Sequence, residues 1–426
     1  MNPHRPLGLT SAIALVVASM VGTGVFTTSG FLLGDLGSPW RVLAAWLVGG
    51  ILAALGALSY GALARHIPES GGEYTFLSQT LHPAAGFLAG WVSLLVGFSA
   101  PLAAAAVGFG EYTQPWTGLA PRATATLLVL GFALLHGAHV RHGARAQDWS
   151  VALKIVGITL FVAYGVTHLP TIEAAPAPAL NLPDFAVSLV WVSFSYSGWN
   201  AAVYVGGEIR DPERNLPRAL LWGTGLVTAL YLALNAVFVF SAPLSQLAGK
   251  LDVGRLAAEA IGGHRWGTAA AALVALALLT SVSSLTMAGP RVSARMASEG
   301  NLPRWLACTS GPPRAAIALQ TIIALLLVWT TAYEQLLTFI GFTLGLSAVA
   351  TVSGLMRLRQ REGGRLPIPG WPWVPALFIL ANLAITAFTI ARRPWESLAG
   401  LGTLAAGWIV WYVSNPRTPS GPNLPR

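Results

Sequence analysis

A helix that crosses a bilayer needs about 20 apolar residues, because the hydrocarbon core is about 30 Å thick and each helical residue rises about 1.5 Å. This sequence meets that requirement repeatedly. Apolar runs broken by polar or proline-rich joints cover residues 8–33, 41–64, 84–110, 121–138, 148–167, 185–206, 217–241, 266–288, 315–333, 335–356, 372–391 and 396–414. Twelve such runs leave only short joints within 426 residues, so no large soluble domain fits. Charged residues make up 10% of the chain, against about 25% in ordinary soluble proteins. The 16 tryptophans and 46 glycines suit aromatic belts at the membrane surface and close helix contacts. The fold class expected is an all-α, multi-pass membrane protein.

The basic residues set the expected orientation. Of the 25 lysines and arginines, seventeen fall in the joints on one side of the alternating path and seven on the other; Lys154 lies inside the fifth run. The positive-inside rule makes the richer side cytoplasmic, and an even number of runs brings both termini there, in an inner or plasma membrane. A net charge of +9 dispersed in small groups next to spans gives no stripe for nucleic acid. The first run is too long for the apolar region of a signal peptide and is read as an uncleaved helix. Residues 241–265 fit either a short amphipathic helix or a plain loop, 170–183 fit an exterior linker, and 415–426 fit a disordered cytoplasmic tail. The single cysteine, Cys308, cannot form an internal disulfide.

Two runs carry residues that a plain lipid-facing helix would not. In the first, Val21-Gly22-Thr23-Gly24-Val25-Phe26 puts two glycines around a threonine at mid-span, where each glycine costs about 1 kcal/mol relative to alanine in a soluble helix. Either these glycines let another helix pack close, or the helix breaks and presents free amides and carbonyls to a ligand. The amide end of a broken helix favours an anion and the carbonyl end a cation, so a break suits a zwitterion. In the sixth run, Ser193-Phe194-Ser195-Tyr196-Ser197-Gly198-Trp199-Asn200 is similarly rich in hydroxyls and glycine. Irregular segments in corresponding positions of two halves point to a carrier site built from inverted repeats.

Other clusters carry less. His136, His139 and His142 lie beside Arg141 and Arg145 with no carboxylate or cysteine near them, and read as a basic loop rather than a metal site. Glu208 reads as a partner for nearby arginines. No nucleophile and base stand together, and nothing calls for a cofactor, a metal or an enzymatic activity. Lys154 either snorkels to the cytoplasmic interface or is held inside the protein, where insertion scales put a central lysine at roughly 2.5–3.5 kcal/mol.

With these segments in view, the chain resembles the amino acid-polyamine-organocation (APC) superfamily of transporters, and within it the L-type amino acid transporter branch. The resemblance rests on Gly22-Thr23-Gly24-Val25-Phe26, on Ile67-Pro68-Glu69-Ser70-Gly71-Gly72-Glu73-Tyr74, and on Tyr196-Ser197-Gly198-Trp199-Asn200 followed by Glu208 to Pro217. Ala288-Gly289-Pro290-Arg291 through Gly300-Asn301-Leu302-Pro303 completes it. It implies two inverted repeats of five helices, 1–168 and 184–356, with helices 1 and 6 broken at mid-membrane, then two further helices over 372–414 and the tail 415–426. It implies that a substrate carboxylate meets the amides of Thr23 and Gly24 beside Gly22. The amine would meet carbonyls of Met20, Phe194 and Ser197, and the Phe194 ring would close over the substrate ahead of Gly198. Lys154 would point at helix 1 in place of a sodium ion.

The activity implied is sodium-independent movement of neutral L-amino acids by alternating access, as exchange or proton symport. Members that take cationic substrates place an acid on the third helix, where this chain has Leu94-Leu95-Val96-Gly97-Phe98; Glu111 comes later, at the exterior end. The rival readings are a channel, a membrane sensor or scaffold that binds an amino acid without moving it, and a carrier of cationic amino acids or polyamines.

Overall fold

A computed structural model describes residues 7–138, 143–171, 179–308 and 311–414, the side chains of 143–152 excepted. Among them every regular element is helical, and the only β-type pairing is a single bridge between Leu7 and Ile209. Helix covers each of the twelve apolar runs. In chain order these are α1 (Leu9–Met20), α2 (Gly24–Leu36), α3 (Pro39–His66), the short α4 (Gly72–Thr80), α5 (Pro83–Thr117), α6 (Pro121–Ala138) and α7 (Gly143–Thr167). There follow α8 (Leu182–Tyr196), α9 (Pro212–Val239), α10 (Val253–Ser298), α11 (Arg314–Thr330), α12 (Tyr333–Arg361), α13 (Trp373–Arg392) and α14 (Pro394–Ser414). Residues 172–178, the tail 415–426, His139 and His142 lie outside the described residues.

Eight of these helices are long and apolar enough to cross a membrane, nine when α1 and α2 are taken as one bent span; the apolar stretches Leu153–Thr167 and Arg314–Thr330 are shorter. The chain is an integral, multi-pass membrane protein. Its helix ends follow local chemistry. Proline opens α3, α5, α6, α9 and α14, where a missing N–H removes nothing from the helix, and glycines in the left-handed region at Gly37 and Gly118 stop α2 and α5. Within α5 the turns widen into a π-helix over Ser93–Ser99, just ahead of Pro101, and Ser99 Oγ donates to the Leu94 carbonyl at 2.7 Å. The joint left open between helix and loop is largely helical: α10 starts at Val253 and turns a corner at Gly263, where φ is +79°.

Packing divides the helices into an inner and an outer set. In the most apolar stretches of α5 and α12, 61% of residues are buried, against 17% in α6 and α14, so the former form the centre and the latter the rim. Leu127, Leu134 and Leu135 on α6, and Leu398 and Ile409 on α14, lie on the outer surface, where lipid is their natural solvent. Inside, small residues let backbones approach. A Cβ at Gly341 of α12 would overlap the Val190 carbonyl of α8, and one at Gly61 of α3 would lie 3.1 Å from the Pro217 Cα of α9. Gly341→Val must therefore push α12 off α8, an overpacking that costs about 1–3 kcal/mol. Thermal unfolding in detergent should show a lowered midpoint for Gly341→Val and an unchanged one for Gly131→Val, whose Cβ meets nothing within 4 Å.

Candidate functional site

The glycine-flanked threonine of the first run is a true break. α1 stops at Met20, Gly22 N–H turns back to the Met20 carbonyl at 2.7 Å, and α2 leaves from Gly24 at an angle of 44° to α1. Thr23 is the N-cap of α2, yet its side chain caps nothing, and among the described residues no acceptor takes the amides of Thr23, Gly24 or Val25. These donors lie at the positive end of a helix dipole. The sixth run breaks after Tyr196, and Gly198 has φ +98°, a region that side chains with a Cβ rarely enter. A Cβ there would lie 2.7 Å from the Ser19 carbonyl oxygen and 3.2 Å from Met20 N, so the two breaks touch.

Hydroxyl groups from neighbouring helices gather around the two breaks. Tyr231 of α9 donates to the carbonyls of Met20, at 2.5 Å, and Ser195, at 3.2 Å, and so bridges the carbonyl ends of both broken helices. Tyr112 of α5 donates to the Phe26 carbonyl at 2.7 Å, and Tyr333 of α12 to Thr27 Oγ1 at 2.9 Å. Thr28 and Ser195 hydroxyls lie 3.0 Å apart across α2 and α8. The Met20 carbonyl thus already accepts two hydrogen bonds, from Gly22 and Tyr231, while the Phe194 carbonyl accepts one from Ser197 N–H at 2.9 Å.

The two glycines of the first break do different work. A Cβ at Gly24 would lie 2.5 Å from Ser195 Cα, so Gly24 is small because α2 and α8 touch there. At Gly22 the nearest atom is the Met20 carbonyl oxygen at 3.8 Å, and the residue is half-buried between buried Val21 and Thr23. Ser197, Gly198, Trp199 and Asn200 are half-buried too, while Phe194 is buried. Each break thus has partly exposed residues, Gly22 in the first and Ser197–Asn200 in the second.

At the end of the bundle opposite Leu7, a cavity of about 470 Å³ is lined by Phe31, Glu111, Lys250, Asp252, Arg255 and Tyr333, among others. Arg255 pairs with Asp252 at 2.6 Å and with Glu259 at 2.8 Å, and the stacked rings of Phe31 and Tyr333, 6.0 Å apart, stand at the cavity wall. Lys154 is 5% exposed although its neighbours Leu153 and Val156 are 52% and 54% exposed, so the ammonium stem faces the protein interior rather than the surface. Glu208 departs from expectation: among the described residues it enters no ion pair, and its carbonyl accepts from Leu7 N–H at 3.1 Å. His136 contacts Ser283 Oγ at 3.0 Å and stacks on Phe132, an ordinary contact between helices.

Sequence reasoning found both breaks but not the tyrosines that seal them. A tyrosine in an otherwise apolar span carries a hydroxyl that must find an acceptor, which marks Tyr112 and Tyr231 in retrospect.

Two broken helices joined at their open ends, inside a bundle of apolar helices, narrow the field of comparison. The profile described as "Amino acid permease" matches residues 7–413. The chain belongs to the amino acid permease family. Curated members of the APC superfamily align along nearly all of this permease. The mouse large neutral amino acids transporter small subunit 2 is 29% identical, covering 96% of this chain and 81% of its own length. The serine/threonine exchanger SteT of Bacillus subtilis is 25% identical over 98% of both chains. The mouse b(0,+)-type amino acid transporter 1 is 27% identical over 96% of this chain and 88% of its own.

Replacing Tyr231 tests the seal. Tyr231→Phe removes the one hydroxyl proton that the Met20 and Ser195 carbonyls share, at roughly 0.5–1.5 kcal/mol for a hydrogen bond. Detergent unfolding should show a loss of about 0.5–1.5 kcal/mol, and an unchanged midpoint would mean that water replaces the hydroxyl.

Proposed function

We propose that this permease moves neutral L-amino acids across the membrane by alternating access, without sodium. The observation that carries the proposal is the contact between the two breaks, with unpaired amides at Thr23 and Gly24 on one side and carbonyl ends at Phe194 and Ser197 on the other. A zwitterion has the matching charges: its carboxylate accepts from the amides and its ammonium donates to the carbonyls. Gly22 supplies the approach, and Phe194 covers the bound molecule from α8. Met20 is the weakest of the proposed ligands, since two donors already occupy its carbonyl.

Two further points support a neutral substrate. Among the described residues the buried carboxylate is Glu73, outside the apolar spans, and its oxygens are already taken by Tyr60, Asn200 and Ser347 rather than left for a cationic side chain. The relatives' printed names include a large neutral amino acids transporter and a serine/threonine exchanger, which favours exchange over proton symport. The repeats 1–168 and 184–356, twelve spans and two cytoplasmic termini complete the proposed arrangement, in which helices 1 and 6 rock as a group against the rest.

Counterflow in proteoliposomes tests the whole reading. Liposomes loaded with unlabelled leucine, serine or alanine should accumulate the labelled amino acid without sodium. A channel would show no counterflow, and a sensor would bind and move nothing. Saturable arginine uptake that neutral amino acids fail to inhibit would point to the cationic reading. Gly22→Val should abolish binding while keeping the unfolding midpoint, because its Cβ meets only the Met20 carbonyl oxygen, at an unstrained 3.8 Å, whereas Gly24→Val should lower the midpoint.

Lys154 acts in this scheme on the conformational step. Its interior position requires compensation from the protein, and the first helix supplies it in the state the lysine favours. Lys154→Ala should keep substrate binding and reduce exchange roughly tenfold, equivalent to about 1.4 kcal/mol. Lys154→Arg should restore only part of it, since the guanidinium is larger and planar. Wild-type exchange by Lys154→Ala would end this assignment.

A further inference from the structure

Glu73 is buried, at 8% exposure, and the transport reading gives it no task. It stands in the first turn of α4. Two glycines at positive φ, Gly71 at +127° and Gly72 at +57°, lead into that turn. A Cβ at Gly72 would lie 2.5 Å from the Tyr204 ring, so only glycine lets α4 sit against the 201–208 segment that follows the second break. Three elements then converge on one carboxyl group. Tyr60 of α3 donates its hydroxyl to Oε1 at 2.7 Å, Asn200 beside the break donates its amide to Oε1 at 3.1 Å, and Ser347 of α12 donates to Oε2 at 2.6 Å.

This cage accepts the group in both protonation states. The ionised carboxylate takes all three donors. In the neutral acid, Oε2–H donates to Ser347 Oγ while the serine proton rotates away, and Oε1 keeps Tyr60 and Asn200. The titratable groups that face it are phenols, Tyr60 from α3 and Tyr204 from the segment 201–208; α12 presents Ser347, and α4 contributes no charge. Among the described residues no lysine, arginine or histidine bonds it. Burial without a cation pushes the Glu73 carboxyl up from its usual range, against the smaller opposing effect of the three hydrogen bonds.

We propose that Glu73 is a proton-binding site that fastens the segment after the second break to α12 and α3, closing the cytoplasmic end of the permease. The proposal rests on the alternating-access reading, in which this segment moves and α12 belongs to the frame. Opening pulls Asn200 away and admits water, which stabilises the carboxylate, so the proton leaves to the cytoplasm; closure takes one back from the same side. No net proton crosses the membrane. The sign follows by linkage. The closed state holds the proton at a pH where the open, hydrated carboxyl has lost it, so acid favours closure and alkali favours opening. Glu73→Gln keeps an acceptor for Tyr60 and Asn200 and a donor for Ser347, and so stands in for the neutral acid at every pH.

The test combines exchange with a direct view of the proton. Wild-type counterflow of labelled leucine should rise several-fold as the pH on the cytoplasmic face goes from about 5.5 to about 8. Glu73→Gln should give a flat profile at the slow, acidic level, and Ser347→Ala should shift the wild-type profile along the pH axis. Difference infrared spectra of wild type against Glu73→Gln should contain a protonated-carboxyl band that fades over the same pH interval, a readout independent of transport. The band without any wild-type counterflow would leave the proton site standing and defeat the transport reading. A Glu73→Gln profile that follows wild type, or no such band, would overturn the proposal, whether or not the variant is stable enough to transport.

Discussion

Backbone amides and carbonyls that leave a helix inside hydrocarbon cannot turn to water, and each one left unpaired costs several kcal/mol. The centre of this permease is organised around that cost. Interrupting two helices frees a set of donors and acceptors, and hydroxyl groups answer part of it: Tyr231 of α9 for the Met20 and Ser195 carbonyls, and Thr27 of α2 itself for the Thr23 carbonyl. What they leave unanswered is a small group of amides at the start of α2 and carbonyl capacity at the end of α8. The zwitterion site proposed above consists of these unanswered groups.

The same requirement explains where the sequence was legible. Lipid demands long apolar stretches, so the helices were readable directly, and glycine or serine within such a stretch had to mean a contact or a break. Sequence could not separate those two meanings, and the structure assigns one to each glycine: Gly24 serves the approach of α2 to α8, while Gly22 sits in the break itself with room for a Cβ 3.8 Å from the Met20 carbonyl oxygen. The tyrosine seal was hidden because its partners are distant in the chain, Tyr231 lying 211 residues from Met20. Glu73 was hidden for the opposite reason. It sits in a motif that marked the family, and its cage draws on Tyr60, Asn200 and Ser347, which only tertiary packing brings together.

Lys154 illustrates a limit of local reasoning. Its distance from the start of the fifth run permits snorkelling, and only the contrast with exposed Leu153 and Val156 shows that the side chain takes the inward face. A helix position alone gives depth; the direction around the helix axis comes from neighbours.

The bridge between Leu7 and Ile209 has a mechanical meaning. Leu7 N–H donates to the Glu208 carbonyl at 3.1 Å and Arg210 N–H donates to the Leu7 carbonyl at 2.8 Å, so the residues leading into α1 are stitched to the residues that close the 201–208 segment. Above this stitch, Gly198 presses on Ser19, giving the two segments a second point of attachment. With two attachments at separate points, sliding one segment along the other would strain both contacts at once, so the pair resists shear as a panel does and a pair of loose rods does not.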